Sequence, residues 1–240
     1  MARLARVVIP GLAHHVTQRG NGRQQVFFSD SDYALYLRLI TEASSEAGVG
    51  CLAFCLMPNH AHLILVPETP DGLRHCLSKT HRAYAGILND RRHLTGHFWQ
   101  GRYGSVPMDD AHLHEALRYV LMNPVRAQLV AGATAWRWSS ARAYLTGKPD
   151  GLTDCQWMLD AIPDIGAFLG DAPDTDRLMR LRAAETTGRP AAAADFISEL
   201  ESSLHRALTP GKRGPKPQSR GQTNGAVMAV GRAQLNALSP

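Results

Sequence analysis

The strongest constraint on the fold is a pair of apolar segments that a two-residue turn separates. The segments read VGCLAFCLM and HAHLILVP, and a Pro-Asn dipeptide at residues 58–59 joins them. Short apolar runs bounded by turn-forming residues are typical of strands, and so short a connection requires the two strands to be antiparallel. The sequence therefore predicts a β-hairpin over residues 49–67.

The second strand of this hairpin carries two histidines, two residues apart. Side chains alternate across a strand, so His60 and His62 lie on one face. Ala61, Leu63 and Leu65 lie on the other face and are expected to pack under helices. Imidazoles about 7 Å apart on one face can ligate the same metal ion. Two histidines on a strand are also common as plain polar surface. The metal interpretation further requires a third ligand from elsewhere in the sequence.

The order of the remaining elements predicts the fold class. The hairpin is preceded by a strand at 13–20 and a helix at about 29–48. It is followed by a helix within 69–89, a short strand within 96–108 and a helix at about 110–122. The order β-α-β-β-α-β-α predicts an α+β fold, with a ferredoxin-like antiparallel sheet and helices on one face.

The composition of the chain divides it into three parts. Residues 1–150 contain all the predicted strands and are expected to form the first domain. Residues 151–208 are rich in Ala, Leu and Asp and lack strand patterns, which predicts a small helical C-terminal region. Residues 209–240 are rich in Pro, Gly and basic residues, which predicts a disordered tail.

The sequence has no pattern of a membrane protein. No apolar run approaches the roughly 18–20 residues that a bilayer-spanning helix requires. The N-terminus MARLARVVIPG also lacks the long apolar core and the cleavage site of a signal peptide. A cytoplasmic protein with no membrane partner is therefore expected.

The positive charge of the chain is concentrated in its first part. Residues 1–150 hold 16 Lys and Arg against 11 Asp and Glu, whereas residues 151–240 hold 10 of each. Between Lys79 and Arg102 there are five Lys and Arg but a single acid, Asp90. Such a field favours a polyanionic partner, of which nucleic acid is the commonest. A solvated basic face without a partner is the alternative interpretation.

The helix predicted at about 110–122 offers further candidates for a site. Its sequence HLHEALRYVLMNP places five apolar residues on one stripe, which predicts the side that faces the core. Tyr119 and Asn123 lie one turn apart on a flank away from that stripe, where they could face a metal held by the strand histidines. The alternative is a surface tyrosine, with Asn123 as a helix cap before Pro124.

Several segments together resemble the REP-associated tyrosine transposases. These are relatives of the single-strand transposases of insertion sequences, within the HUH endonucleases, whose motif is His, a hydrophobic residue and His. The resemblance rests on MPNHAHLIL, TGHFWQGRY and RYVLMNPVRAQLV, in this order and at these separations, and it covers roughly residues 5–147. TTGRP and KRGPKP are similar to the C-terminal extension of the longer members.

The resemblance implies a role for each residue of the site. His60 and His62 correspond to the paired metal ligands, with Ala61 in the hydrophobic middle position. Tyr119 corresponds to the nucleophile. Asn123 corresponds to the position of the third ligand, where the insertion-sequence relatives carry glutamine. The implied activity is cleavage and transfer of single-stranded DNA at palindromic hairpins, through a 5′-phosphotyrosine and with Mg²⁺ or Mn²⁺ as cofactor.

The resemblance also directs attention to residues that could bind the DNA. Basic side chains would contact phosphates and aromatic ones would stack on unpaired bases. The candidates are Arg19, Arg23, Arg91, Arg92, Trp99, Arg102, Arg118 and Arg126. Trp99 fits equally well as a core residue, and the basic tail fits equally well as a solubilising segment.

The sequence leaves three rival functions open. The chain could be a non-catalytic nucleic-acid-binding module, a repressor that retains the site but mainly binds, or a metal-dependent hydrolase that uses activated water. The first and third rivals predict that Tyr119 is dispensable. The sequence also leaves open whether the chain is a monomer or a homodimer.

Overall fold

The computed structural model of the chain describes residues 6–209, with the side chains of Trp157 and Met158 excepted. Its centre is a four-stranded sheet of order β2-β3-β1-β4 in which all neighbouring strands are antiparallel. The strands are β1 (His14–Arg19), β2 (Val49–Met57), β3 (His60–Pro67) and β4 (Gly104–Pro107). The predicted hairpin is the β2–β3 pair, and the α+β class with an antiparallel sheet is confirmed.

Nine α-helices surround the sheet within residues 6–209. They are α1 (Asp30–Ala47), α2 (Gly72–Arg91), α3 (Asp110–Leu121), α4 (Asn123–Arg126), α5 (Ala141–Thr146), α6 (Cys155–Ala161), α7 (Ile165–Gly170), α8 (Thr175–Thr187) and α9 (Ala194–Leu204). The first of them shows how local sequence sets the ends of a helix. Ser29 precedes α1 and its backbone N–H donates to the Asp32 carboxylate at 3.0 Å. Gly48 ends α1 with φ of 59°, a left-handed conformation that glycine adopts readily.

Helices α1 and α2 cover one face of the sheet, as the sequence predicts. Their apolar side chains enclose the inward residues of β1 and β3, including Val16, Leu63 and Leu65, which are all wholly buried. The other face is covered as well, because the stripe of α3 and residues of α7 and α8 form one buried cluster with Ile64 of β3. The expectation of helices on one face therefore describes α1 and α2, while the face that bears the strand histidines has helices of its own.

The region after residue 150 shares the core of the sheet. Leu169 of α7 and Leu181 of α8 belong to the same buried cluster as Leu117 of α3. Residues 6–209 form one compact unit, and they include the predicted helical region as α6–α9. The predicted disordered tail, from residue 210 onward, lies outside the described residues. None of the helices in residues 6–209 has the length and apolarity needed to cross a bilayer.

Neighbouring chain segments are hydrogen-bonded to both edge strands of the sheet. The backbone N–H of Leu56 in β2 donates to Trp138 O at 2.8 Å, and that of Ser140 donates to Phe54 O at 3.0 Å. At the opposite edge, the N–H of Ala191 donates to Pro107 O of β4 at 3.0 Å. Both outer strands thus already have backbone partners.

Leu63 gives a direct test of the core under α1 and α2. Its side chain is fully buried, so Leu63→Ala removes apolar area and leaves a cavity. We expect the free energy of unfolding to fall by about 2–5 kcal/mol, measured by urea denaturation. Ile87→Ala on α2 is the control, because Ile87 is 39% exposed and its loss should cost at most about 0.5 kcal/mol. Equal losses in the two variants would contradict this packing.

Candidate active site

The site is built on the face of the sheet that carries the strand histidines. The register places Thr17 of β1 opposite His62 and Arg19 opposite His60. Directly opposed residues of an antiparallel pair point to the same face, so β1 contributes to this surface beside β3. The rings of His60 and His62 lie with their centroids 4.7 Å apart, on the common face that the alternation predicts.

A hydrogen bond fixes the tautomer of His60 and leaves one of its ring nitrogens with a free lone pair. Asn59 donates its Nδ2 hydrogen to Arg23 O at 3.1 Å, which orients its amide. The Oδ1 of Asn59 then faces His60 Nδ1 at 2.6 Å and accepts its hydrogen, because an amide oxygen cannot donate. Burial, and secondarily Arg19, lower the pKa of His60 to about 4, so the ring is neutral at pH 7. Its Nε2 therefore carries a lone pair suited to a metal ion.

His62 has one ring nitrogen in a hydrogen bond and the other without a partner. Its Nδ1 lies 2.9 Å from Nε2 of His15 in β1. Its Nε2 is buried and has no partner among the described residues. Burial, followed by the charges of His15 and His60, lowers the pKa of His62 well below its usual value. A buried nitrogen without a partner on a neutral ring is what a metal-ligating histidine presents when no metal is bound.

Tyr119 lies over this pair of strands because α3 packs its apolar stripe onto the sheet. The half-buried tyrosine has its ring centroid 5.4 Å from that of His62 and 6.0 Å from that of His15. The guanidinium carbons of Arg126 and Arg182 lie 4.6 and 5.3 Å from the centre of its ring. The tyrosine predicted from the helix flank therefore stands beside the strand histidines, with two cations around it.

Asn123 is the first residue of α4, one turn beyond Tyr119. Its side chain is buried, and Nδ2 has no hydrogen-bond partner among residues 6–209. Rotating an amide by 180° exchanges its nitrogen and oxygen with little change of shape. The same position can therefore present Oδ1, an acceptor suited to a cation, and this fits the donor set of a site that holds Mg²⁺ or Mn²⁺.

Two further residues of the site were not predicted from the sequence. They are His15 of β1 and Glu185 of α8, whose Nδ1 and Oε1 atoms lie 3.3 Å apart. Each of these two residues and His62 offers a ligand atom within 4.8 Å of the others, so they form a second potential metal-ligand set. Strand alternation could have placed His15 on this face had the register been known. Nothing in the sequence around Glu185 distinguishes it from other acids on the C-terminal helices.

The electrostatic surroundings of these two residues are unusual. Burial, and then the charge of His60, lower the pKa of His15 to about 3. Burial raises the pKa of Glu185 to about 7, against the opposing effect of Arg19 and Arg182. A neutral imidazole thus faces a carboxyl group that changes its charge near physiological pH.

A cleft of about 390 Å³ opens beside His60. Arg19 and Arg102 line it, together with Gln100 and Glu185. Its volume lies in the range of pockets that bind small organic ligands, which is also the scale of one nucleotide. A phosphate or an unpaired nucleotide can therefore reach the histidine face here.

The structure brings three of the predicted DNA-binding arginines to this region. Arg19 and Arg102 line the cleft, and Arg126 contacts the ring of Tyr119. The carbonyl of Arg23 accepts from Asn59, the neighbour of His60 in the chain, and the backbone of Arg23 has a φ of 64°.

The other predicted DNA-binding residues have partners within the protein. Arg91 forms an ion pair with buried Asp32 at 2.6 Å, and Arg92 lies over the ring of Phe28. The remaining two are Arg118, which bonds Glu115 and the carbonyl of Phe168, and Trp99, which donates to His81 O and packs on Tyr84. For Trp99, these contacts agree with the alternative of a core residue.

The family model described as "Transposase IS200 like" matches residues 9–123. This stretch contains the whole sheet, both strand histidines, Tyr119 and Asn123. Residues 9–123 are therefore similar to the IS200-like transposases. Transposases cleave and rejoin DNA, generally with a bound metal ion.

Solved structures resemble the chain at low sequence identity. One is a REP-associated tyrosine transposase bound to a REP hairpin, with 21% identity and a TM-score of 0.50 over 65% of this chain and 91% of the other. At this identity the match establishes a common fold. A second, from Deinococcus radiodurans R1 and only provisionally named a transposase, has 19% identity and a TM-score of 0.35 over 53% and 92% of the two chains. No curated protein matches the sequence.

Proposed function

We propose that this protein is a transposase that cleaves and rejoins single-stranded hairpin DNA through a covalent 5′-phosphotyrosine on Tyr119, with Mg²⁺ or Mn²⁺ bound. The observation that supports this most is the position of Tyr119, whose ring lies 5.4 Å from that of His62. His62 in turn has a buried Nε2 without a partner among the described residues. A nucleophile beside an unused metal-binding nitrogen is the arrangement that metal-assisted phosphoryl transfer requires.

Three residues would hold the metal ion. His60 and His62 offer Nε2 lone pairs, and Asn123 offers its amide oxygen once the amide is turned. When bound, the ion would polarise the scissile phosphate and offset the negative charge that develops in the transition state. The tyrosine hydroxyl, with an ordinary pKa of about 10, is otherwise a weak nucleophile at neutral pH.

In the cleavage step, the tyrosine oxygen would replace the 3′-oxygen of the DNA on phosphorus. The Tyr119 oxygen forms a bond to phosphorus and releases its proton to solvent, while the bond from phosphorus to the 3′-oxygen breaks and that oxygen takes up a proton. The phosphodiester is conserved as a tyrosine ester, so a 3′-OH can attack it and restore Tyr119. Arg126 and Arg182, whose guanidinium groups both lie close to the ring, would place positive charge where the phosphate approaches.

The cleft beside His60 would receive the DNA strand. Arg19 and Arg102 on its walls suit phosphates, and the relative bound to a REP hairpin supports a hairpin as the substrate. The strand would then pass from this cleft towards Tyr119 across the histidine face.

Arg102 provides a test of the binding surface. It is exposed in the cleft, so Arg102→Ala should weaken hairpin binding by several-fold. It should also lower the slope of log K against log salt by about 0.7–1, because one phosphate contact is lost. Fluorescence anisotropy at several salt concentrations measures both effects. Arg38→Ala on α1, which removes an exposed charge elsewhere, should change neither, and equal losses in both variants would rule out a specific role for the cleft.

The activity itself is tested by following each end of a labelled strand. A single-stranded hairpin oligonucleotide from DNA that flanks the gene is labelled at the 5′ or the 3′ end, incubated with Mg²⁺ or Mn²⁺, and run on a denaturing protein gel. Only the 3′ label should move with the protein, only when metal is present, and mass spectrometry should locate the adduct at Tyr119. Cleavage without an adduct would indicate a hydrolase. Binding without cleavage on several hairpins would indicate a non-catalytic module.

A further inference from the structure

The two ring nitrogens of His62 have very different surroundings, and this difference requires a cause. The Nδ1 atom is hydrogen-bonded to His15, whereas Nε2 is buried and has no partner in residues 6–209. A neutral imidazole carries one hydrogen, on one nitrogen or the other. Only the form with its hydrogen on Nδ1 leaves Nε2 with a lone pair for a metal ion.

The His15–His62 contact does not by itself choose between the two forms. Either ring could donate across the 2.9 Å distance, since each nitrogen can be donor or acceptor. His60 differs in this respect, because the amide oxygen of Asn59 accepts and so requires the hydrogen on Nδ1. A third group must therefore determine the direction of the hydrogen bond between His15 and His62.

Glu185 is placed to do this. Its Oε1 lies 3.3 Å from Nδ1 of His15, and each of these buried atoms has no hydrogen bond among the described residues. A carboxylate at this position favours a hydrogen on His15 Nδ1, which leaves His15 Nε2 as an acceptor. His62 must then donate from Nδ1. The opposite arrangement would turn the His15 Nδ1 lone pair towards a carboxylate and bury a His62 Nε2–H without an acceptor, and both are unfavourable.

We propose that Glu185 and His15 are positioning residues that hold His62 in the form with Nε2 free for the metal ion, through the series Glu185–His15–His62. The inference rests on the proposed function in one respect, namely that His62 is a metal ligand. Outer hydrogen bonds of this kind fix the orientation and the tautomer of ligating histidines. Glu185 comes from α8, beyond residues 9–123 that the family model matches, so the C-terminal helical region contributes to the site.

The first readout is the tautomer of His62 in the metal-free protein. Two-dimensional ¹H–¹⁵N NMR of ring couplings, recorded at pH 8, should show wild-type His62 with its hydrogen on Nδ1. In Glu185→Ala the form with hydrogen on Nε2 should become populated. Glu185→Gln keeps an oxygen that can accept from His15 and should restore the wild-type signal. Glu199→Ala, which removes an exposed acid of α9, is the matched control and should leave the signal unchanged.

The second readout is the affinity for Mn²⁺ alone, measured by isothermal titration calorimetry without DNA. Loss of an outer hydrogen bond typically weakens metal binding by about 10–100-fold, so Glu185→Ala should lose at least about tenfold and Glu185→Gln should recover most of it. An unchanged tautomer in Glu185→Ala would overturn the proposal. So would a loss of Mn²⁺ affinity that is equal in the Ala and Gln variants, because Glu185 would then be a ligand itself.

These readouts separate the inference from the proposed function. Neither involves DNA, so the expected tautomer and affinity pattern without a tyrosine adduct would uphold the role of Glu185 and refute the cleavage activity. An adduct in the wild-type protein with an unchanged tautomer in Glu185→Ala would uphold the cleavage activity and refute the role of Glu185. Glu185→Gln retains the size and polarity of the side chain, so a folded variant remains available should Glu185→Ala be unstable.

Discussion

Tyr119→Phe should lower the rate of hairpin cleavage by about a thousandfold or more and remove the covalent adduct, because the attacking oxygen is gone. Hairpin affinity and Mn²⁺ affinity should remain within about twofold, since the ring and its contacts with His62 and Arg126 are kept. Single-turnover cleavage of labelled DNA measures the rate, and anisotropy and calorimetry measure the two affinities.

The matched control is Tyr33→Phe, which removes a hydroxyl on the opposite face of the sheet. Tyr33 packs on Phe27 and Trp138 in the core beneath α1 and α2. The Tyr33→Phe variant should cleave the hairpin at the wild-type rate. Cleavage that survives Tyr119→Phe at an unchanged rate would exclude Tyr119 as the nucleophile and favour attack by water.

Mild acid should destabilise this protein. His14 and His81 are buried in the core, away from Tyr119, and burial lowers their pKa values to about 4 and about 3. In the unfolded chain each has a pKa of about 6.5, so below that pH the unfolded state binds protons that the native state does not. Stability is therefore complete above about pH 6.5 and falls as the pH falls towards the native pKa values. Each histidine should account for about 2 kcal/mol between pH 7 and pH 5.

The combined contribution of the two histidines is large for a domain whose total stability is typically about 5–15 kcal/mol. Urea unfolding at pH 7, 6 and 5 should show a loss of about 4 kcal/mol from these two residues. His81→Gln should reduce the pH-dependent part by about 2 kcal/mol, whatever it does to stability at pH 7. His97→Gln replaces an exposed histidine and should leave the pH dependence as it is. A flat profile in the wild-type protein would contradict the buried neutral state of His14 and His81.

The part of the fold that follows from local pattern could be predicted from the sequence. Alternation along β3 correctly separated His60 and His62 from Leu63, and the stripe on α3 correctly placed Tyr119 beside the apolar seam. Both features repeat with the period of their element, so a short segment is enough to reveal them. The roles of His60, His62 and Asn123 as metal ligands and of Tyr119 as nucleophile are still predictions.

The parts that depend on distant segments could not be predicted in this way. His15 reaches His62 because β1 pairs with β3 in one register, and Glu185 reaches His15 because α8 packs across the sheet from the far end of the chain. Counting charges along the sequence likewise does not reveal which arginines are paired within the fold. Arg91 and Arg118 are as basic in sequence as Arg102, yet acidic partners within the fold occupy them.

The covered edges of the sheet bear on how the protein behaves at high concentration. An open edge strand is a template on which a second chain can add a strand, and such addition underlies both strand-swapped dimers and fibrous aggregates. Here the backbone of residues 138–140 occupies the outer side of β2, and Ala191 meets β4, a strand of only four residues. Another chain would have to displace these segments before it could extend the sheet. Association of two copies, where it occurs, should therefore use side-chain surfaces, and the folded protein should resist aggregation by strand addition.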